Sequence, residues 1–224
     1  MQYIRAFFFI FTSFLFSQES ICYGTTSKGR LENGVALPSS GENYTSYSTM
    51  GELLGRTYVH SKVKEIIVAS YRSLETSMPD KVYKYAETGF EEGGKFSPHK
   101  THQNGLSVDF MVPVNDAEGK SVHLPTHPFN KFGYNIEFDK TGHYDEVTID
   151  YEAMAAHIVS LHKEAKKRGA RIWRIIFDPK LQHYLFKTKY GTYLRKHINF
   201  SEKRSWVRHD EHYHVDFIIP CKGI

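Results

Sequence analysis

A chain of 224 residues makes one domain, or two small ones at most. With 40% hydrophobic and 24% charged residues it is neither a disordered chain nor a coiled coil, and a net charge of +4 fits an acidic partner without calling for nucleic acid. Two cysteines exclude a thiolate metal cage, whereas 13 histidines permit an imidazole site.

The first segment carries one cation, Arg5, then an apolar stretch from Ala6 to Phe11 continued by Phe14, Leu15 and Phe16. A positive start and a short apolar run read as a secretory signal. Residues 1–22 are therefore expected to be a leader, and residues 23–224 a single domain delivered to the periplasm or cell envelope. Ser17 and Cys22 are both plausible ends for the leader. In an oxidising compartment Cys22 and Cys221 can pair, provided that cleavage spares Cys22. No later apolar run is long enough to span a bilayer, so no stable membrane insertion is expected once the leader is gone.

Residues 24–50 are rich in Gly, Ser, Thr and Asn and read as irregular surface chain. Val59 to Leu74 places Val63, Ile66, Ile67, Ser70 and Tyr71 at helical spacing. A short strand is expected over 82–86, a loop over 90–103 and a strand over 106–113. Residues 115–147 form a long insertion of turns with a possible hairpin. Asp150 can cap a helix that runs to Arg168, with Gly169 just past its end. A strand is expected over 172–177, a short helix from Pro179 to about Phe186, and a last strand over 212–219. Strands and helices are interspersed, which predicts an α+β fold: an antiparallel sheet flanked by helices.

Two segments carry chemistry. In Leu106 to Phe110 the strand period of two puts Leu106, Val108 and Phe110 on the core face and Ser107 and Asp109 on the other. His102 lies on the loop that feeds this strand, and Gly105 lets the backbone turn between them. In the last strand Tyr213, Val215, Phe217 and Ile219 face the core, while His212, His214 and Asp216 face the opposite way. Imidazole nitrogen and carboxylate oxygen suit zinc at about 2.0–2.2 Å, and three protein ligands leave a fourth position open, as in catalytic sites. Asp216 is expected to orient a neighbour rather than to ligate. No His-Glu-x-x-His helix and no Gly-x-Ser-x-Gly elbow occurs in the chain.

The His-x6-Asp spacing and the late His-x-His strand resemble the LAS metallopeptidases, which include lysostaphin-type enzymes, D-Ala-D-Ala peptidases and the hedgehog domain. The segment from His99 to Asp109 (His-x-x-His-Gln-x-Gly-Leu-x-Val-Asp), with Trp206 and His209 to Val215, resembles more closely the penicillin-insensitive murein endopeptidases, the MepA group. The stretches 30–38 and 175–179 are similar to that group too. The resemblance implies a hedgehog/D-Ala-D-Ala peptidase-like fold and a Zn2+ cofactor held by His102, Asp109 and His214. It further implies that His212 and His209 are catalytic and that His99 and Trp206 are additional site residues. The implied activity is hydrolysis of peptidoglycan peptide cross-links, of the D-Ala-diaminopimelate type, by a zinc-activated water. The alternatives are a D-Ala-D-Ala or L,D carboxypeptidase of the same fold, or a non-catalytic zinc-holding peptidoglycan-binding protein. The implied partner is peptidoglycan and not nucleic acid. Ser107 stands where the group often has an acid, and the 115–147 insertion has no clear counterpart. His60, His143, His157, His162, His183 and His197 read as structural or surface residues, while His123 and His127 could line a cleft.

Overall fold

The computed structural model describes residues 19–203, 205 and 207–224. Most of the expected leader, and Trp206, therefore lie outside the described residues. The chain opens with a hairpin of β1 (Ile21–Thr25) and β2 (Lys28–Glu32), followed by β3 (Val35–Ala36), β4 (Tyr44–Ser46), the short helix α1 (Thr49–Leu53) and β5 (Tyr58–Val59). The long helix α2 (Ser61–Ser77), β6 (Tyr83–Tyr85) and β7 (Ser107–Met111) come next. The insertion contributes β8 (Val114–Asn115), β9 (Ser121–Val122), a 3-10 turn at Pro128–Gly133, β10 (His143–Tyr144) and β11 (Val147–Ile149). Helix α3 (Tyr151–Lys167), β12 (Arg171–Ile176), α4 (Gln182–Leu185), α5 (Gly191–His197) and β13 (His212–Ile218) complete the order.

The main sheet has the order β12-β13-β7-β6-β4. It is antiparallel except for β4 beside β6. That one parallel pair departs from the expected antiparallel sheet. It is possible because α2 supplies the crossover that a parallel return needs. The strands of the insertion form a separate sheet of four, β10-β11-β8-β9.

Helices α2 and α3 pack together on the core. Val63, Ile66, Ile67, Tyr71 and Leu74 form the buried stripe of α2, as their spacing predicts. Asp150 caps α3 by accepting from the Ala153 N–H at 2.9 Å, and Gly169 takes a left-handed φ of +67° just past its C-terminus. Ser160 Oγ donates to the Ser70 carbonyl at 3.1 Å and locks the two helices in register. His157 is fully buried among Tyr71, Tyr83, Phe110 and Tyr213, with Nδ1 against the Tyr213 hydroxyl. Phe110 and Tyr213 are the core-facing residues of β7 and β13. The helices therefore cover one face of the central strands and leave the other to the polar side chains. That second face is also closed off, and every residue of β7 is buried.

Two readings of the sequence are corrected. Residues 24–50 carry β2, β3, β4 and part of β1 rather than irregular chain alone. Helix α5 was not expected. Cys22 is buried and disulfide-bonded to Cys221. The folded region thus includes Cys22 inside β1, and the expected 22/23 boundary falls within that strand.

Candidate metal centre

The register of two strands builds the site. β13 runs antiparallel to β7 with His214 opposite Asp109 and Asp216 opposite Ser107. Directly opposed residues on one face of a sheet lie side by side. Asp109 Oδ1 and His214 Nδ1 are accordingly 2.8 Å apart. His214 Nε2 donates to Asp216 Oδ1 at 2.8 Å. Asp216 is in turn held by the Ser107 hydroxyl at 2.6 Å and by Arg174 Nε at 2.7 Å. Asp216 therefore orients the imidazole, as expected, and Ser107 serves that carboxylate.

His102 reaches the same carboxylate from the loop before β7. Its backbone takes a left-handed φ of 69°. Gly105, two steps before β7, has φ +75°, and a Cβ there would lie 2.7 Å from the His60 nitrogen. No residue larger than glycine fits without displacing that backbone. His102 Nδ1 donates to the Thr88 carbonyl at 3.0 Å, which leaves the lone pair on Nε2. Nε2 is buried, lies 3.4 Å from Asp109 Oδ1 and has no hydrogen-bond partner. A buried imidazole nitrogen without a partner costs free energy unless a ligand takes it up. This donor set therefore fits a divalent cation.

His99 stands at the rim. Its Nε2 meets Glu87 Oε2 at 2.5 Å, and its Nδ1 is 3.8 Å from Asp109 Oδ2. Donor atoms of His99, His102 and Asp109 lie within 4.8 Å of one another, close enough to hold one metal ion. Glu87 also accepts from the Tyr47 hydroxyl at 3.1 Å and pairs with Arg56. Burial pushes the Glu87 carboxyl up, but hydrogen bonds from His99 and Arg56 outweigh it and hold it down at about 2. The Tyr134 hydroxyl, from the insertion, donates to Asp109 Oδ2 at 3.1 Å.

The remaining two histidines of the last motif stand beside this cluster. His212 Nδ1 donates to Glu211 Oε1 at 2.8 Å, and its Nε2 is 3.8 Å from Asp109 Oδ2. His209 packs its ring 4.5 Å from that of His212, with Nδ1 on the Val207 carbonyl at 3.0 Å. Burial lowers His212 to about 4 and His209 to about 3, so both are neutral near pH 7. His214 moves the other way: burial opposes its charge, but Asp216 and Asp109 raise its pKa. Burial also opposes the charge on Asp109, but the electrostatic pull of the surrounding His102 and His212 imidazoles and the hydrogen bond from His214 keep its pKa well below the carboxylate range. Each His214 nitrogen thus faces its own carboxylate, Nε2 on Asp216 and Nδ1 on Asp109, and a metal ion bound there would take the place of the proton on Nδ1.

A cleft of about 590 Å3 opens over the cluster, lined among others by Glu87, His99, Tyr134, Arg208, Glu211 and His212. The insertion forms one wall. Asp210 Oδ2 accepts from the Phe138 N–H at 2.6 Å, and Arg208 pairs with Glu137 and Asp210, which ties that wall to the last motif. All five expected site histidines and Asp109 thus converge. His60, His157 and His162 serve the fold instead: His60 caps α2, His157 fills the core and His162 bonds Tyr193. Glu87 and Tyr134 were not expected. Glu87 belongs to no motif, and its only sequence signal is an acid directly after the strand expected over 82–86.

A buried His–Asp cluster with a free nitrogen, set beneath an open cleft, defines a candidate metal centre of a hydrolytic enzyme. The chain belongs to the penicillin-insensitive murein endopeptidase family, whose model matches residues 22–223. No curated protein matches the chain. Membership makes it a peptidase whose substrate would be peptidoglycan, acting at the cell envelope. Among the described residues, no helix is long and apolar enough to cross a membrane.

Proposed function

We propose that this protein is a zinc-dependent endopeptidase that hydrolyses the D-Ala-diaminopimelate cross-links of murein. The observation that carries the reading is the free Nε2 of His102 beside Asp109 and His214, under a cleft open to a peptide. His102, Asp109 and His214 hold the metal, each deeply buried. Two of the three have their orientation enforced from behind, His102 by the Thr88 carbonyl and His214 by Asp216. His99 is instead held by Glu87 on the cleft wall. A bound zinc ion supplies a Lewis acid for the scissile carbonyl and acidifies water towards neutrality.

The protein side chains do the rest. His212 keeps its Nδ1–H on Glu211, so Nε2 is free to take a proton from the attacking water and return it to the leaving amine. Its depressed pKa keeps that nitrogen unprotonated at neutral pH. His209 packs against it and restricts its ring. Tyr134 fixes the second oxygen of Asp109. The fold reading that accompanies this is the hedgehog/D-Ala-D-Ala peptidase type. We also infer a secretory leader that ends before Cys22, because the Cys22–Cys221 bridge retains Cys22 in the folded domain.

His212→Ala is expected to keep its metal and lose at least 100-fold in hydrolysis of cross-linked murein. Metal content by mass spectrometry and release of soluble peptide check this together. Retained hydrolysis, or loss of the metal, would contradict the role given to His212.

A further inference from the structure

A second groove lies at the other end of β13. The pairing of β12 with β13 passes from Ile172 opposite Phe217 to Arg174 opposite Asp216, so Trp173 is the extra residue of a bulge. A bulge redirects the side chain it carries. Trp173 is 47% exposed, a large apolar ring left open on an otherwise paired strand. The Arg174 guanidinium stacks 4.5 Å from the ring centre and is held by Asp216 at 2.7 Å. The ring borders a groove of about 580 Å3, shared with Thr25, Ser27, Thr101 and Asn104. Asn104 is fully buried, and its Oδ1 has no hydrogen-bond partner. Among the described lining residues there is no carboxylate.

An open aromatic ring beside hydroxyl and amide groups, without acids, matches a neutral polyhydroxyl ligand. The apolar face of a sugar ring lies on the aromatic, and its hydroxyl and acetamido groups meet the polar rim. The position fits as well. β13 carries His212 in the catalytic cleft at one end and Ile218 in this groove at the other, a span of about 20 Å. The loop that supplies His102 to the metal centre supplies Asn104 to the groove. A polymer with peptide and sugar parts can therefore occupy both clefts at once.

We propose that the Trp173 groove binds the neutral amino-sugar backbone of murein while the cross-link peptide lies in the cleft at His212. The proposal rests on the murein reading above.

The test titrates the whole mature protein with tetra-N-acetylchitotetraose by calorimetry, and compares Trp173→Ala and Trp173→Tyr. In parallel, kinetics are measured on intact sacculi and on a sugar-free cross-linked peptide dimer. The expected result is saturable binding that weakens at least tenfold in Trp173→Ala and within about threefold in Trp173→Tyr. On sacculi, Trp173→Ala raises KM about tenfold with kcat unchanged, and on the peptide dimer both constants stay within twofold of the parent. No binding by the parent chain, equal binding by Trp173→Ala, or an equal loss on both substrates would overturn the groove. A protein that cuts neither substrate but still binds the tetrasaccharide through Trp173 would support the groove and contradict the enzymatic reading instead.

Discussion

His102 shows how a single side chain acquires a task from its surroundings. One nitrogen is used up by a backbone carbonyl, so the other faces Asp109 with its lone pair free. His99 has Nε2 on Glu87 and His214 has Nε2 on Asp216, so each turns its Nδ1 towards Asp109, which makes three imidazoles rivals for the same cation. Burial separates them. His102 and His214 are deep, whereas His99 borders the cleft. Single alanine substitutions at His102, Asp109 and His214 are therefore expected to drop bound zinc from one equivalent to below about a tenth. His99→Ala is expected to keep it. Equilibrium dialysis with elemental analysis decides, and zinc lost from His99→Ala but kept by His214→Ala would reassign the ligand set. The spacing of polar residues in the two strands made Asp109, His212 and His214 legible as one face. Glu87 and Tyr134 were not legible, because they reach the site from the end of β6 and from the insertion, and nothing near them in sequence marks that reach.

The elements differ in how plainly they announce themselves. α2 and α3 carry long apolar stripes, and Asp150 and Gly169 punctuate α3, so both were visible. The two-residue strands were not, since so short a segment shows no period, and β1 to β4 lie in a stretch whose Gly, Ser and Thr content suits loops and hairpins alike. His157 ties α3 to the sheet, and burial lowers its pKa from 6.5 to about 3. A histidine that is neutral when folded binds its proton only in the unfolded chain below pH 6.5. It therefore costs no stability above that pH, and about 1.4 kcal/mol per pH unit as the pH falls from 6.5 towards 3. Denaturant titrations between pH 4 and 7 should show a shallower acid loss in His157→Phe than in the parent, despite a lower stability at pH 7 from the stranded Tyr213 hydroxyl. An identical pH slope would contradict a neutral buried His157.

At the scale of the molecule, the ends of the chain are joined. The Cys22–Cys221 bridge spans 199 residues and connects the first hairpin to the segment after β13, the strand that carries two of the site histidines. Closing so long a loop restricts the unfolded chain, and removal of such a bridge from a secreted domain costs about 2–5 kcal/mol. The double variant Cys22→Ala/Cys221→Ala should unfold at markedly lower denaturant in calorimetric or fluorescence titrations, and an unchanged midpoint would contradict a stabilising staple. The pairing was one of two outcomes open in the sequence, since it depended on where the leader ends. The insertion was legible only as an insertion. Its use as a cleft wall arises from contacts such as Asp210 with Phe138 that join distant parts of the chain. The most direct test of the proposed metal-dependent endopeptidase activity is digestion of purified cross-linked sacculi, followed by mass analysis of the released muropeptides, with chelated protein and again after zinc is added. The predicted result is no release with chelator and, with zinc, conversion of cross-linked dimers to monomers by cleavage at the D-Ala-diaminopimelate bond. Dimers left intact while only terminal D-Ala is lost, or release that survives full chelation, would contradict it.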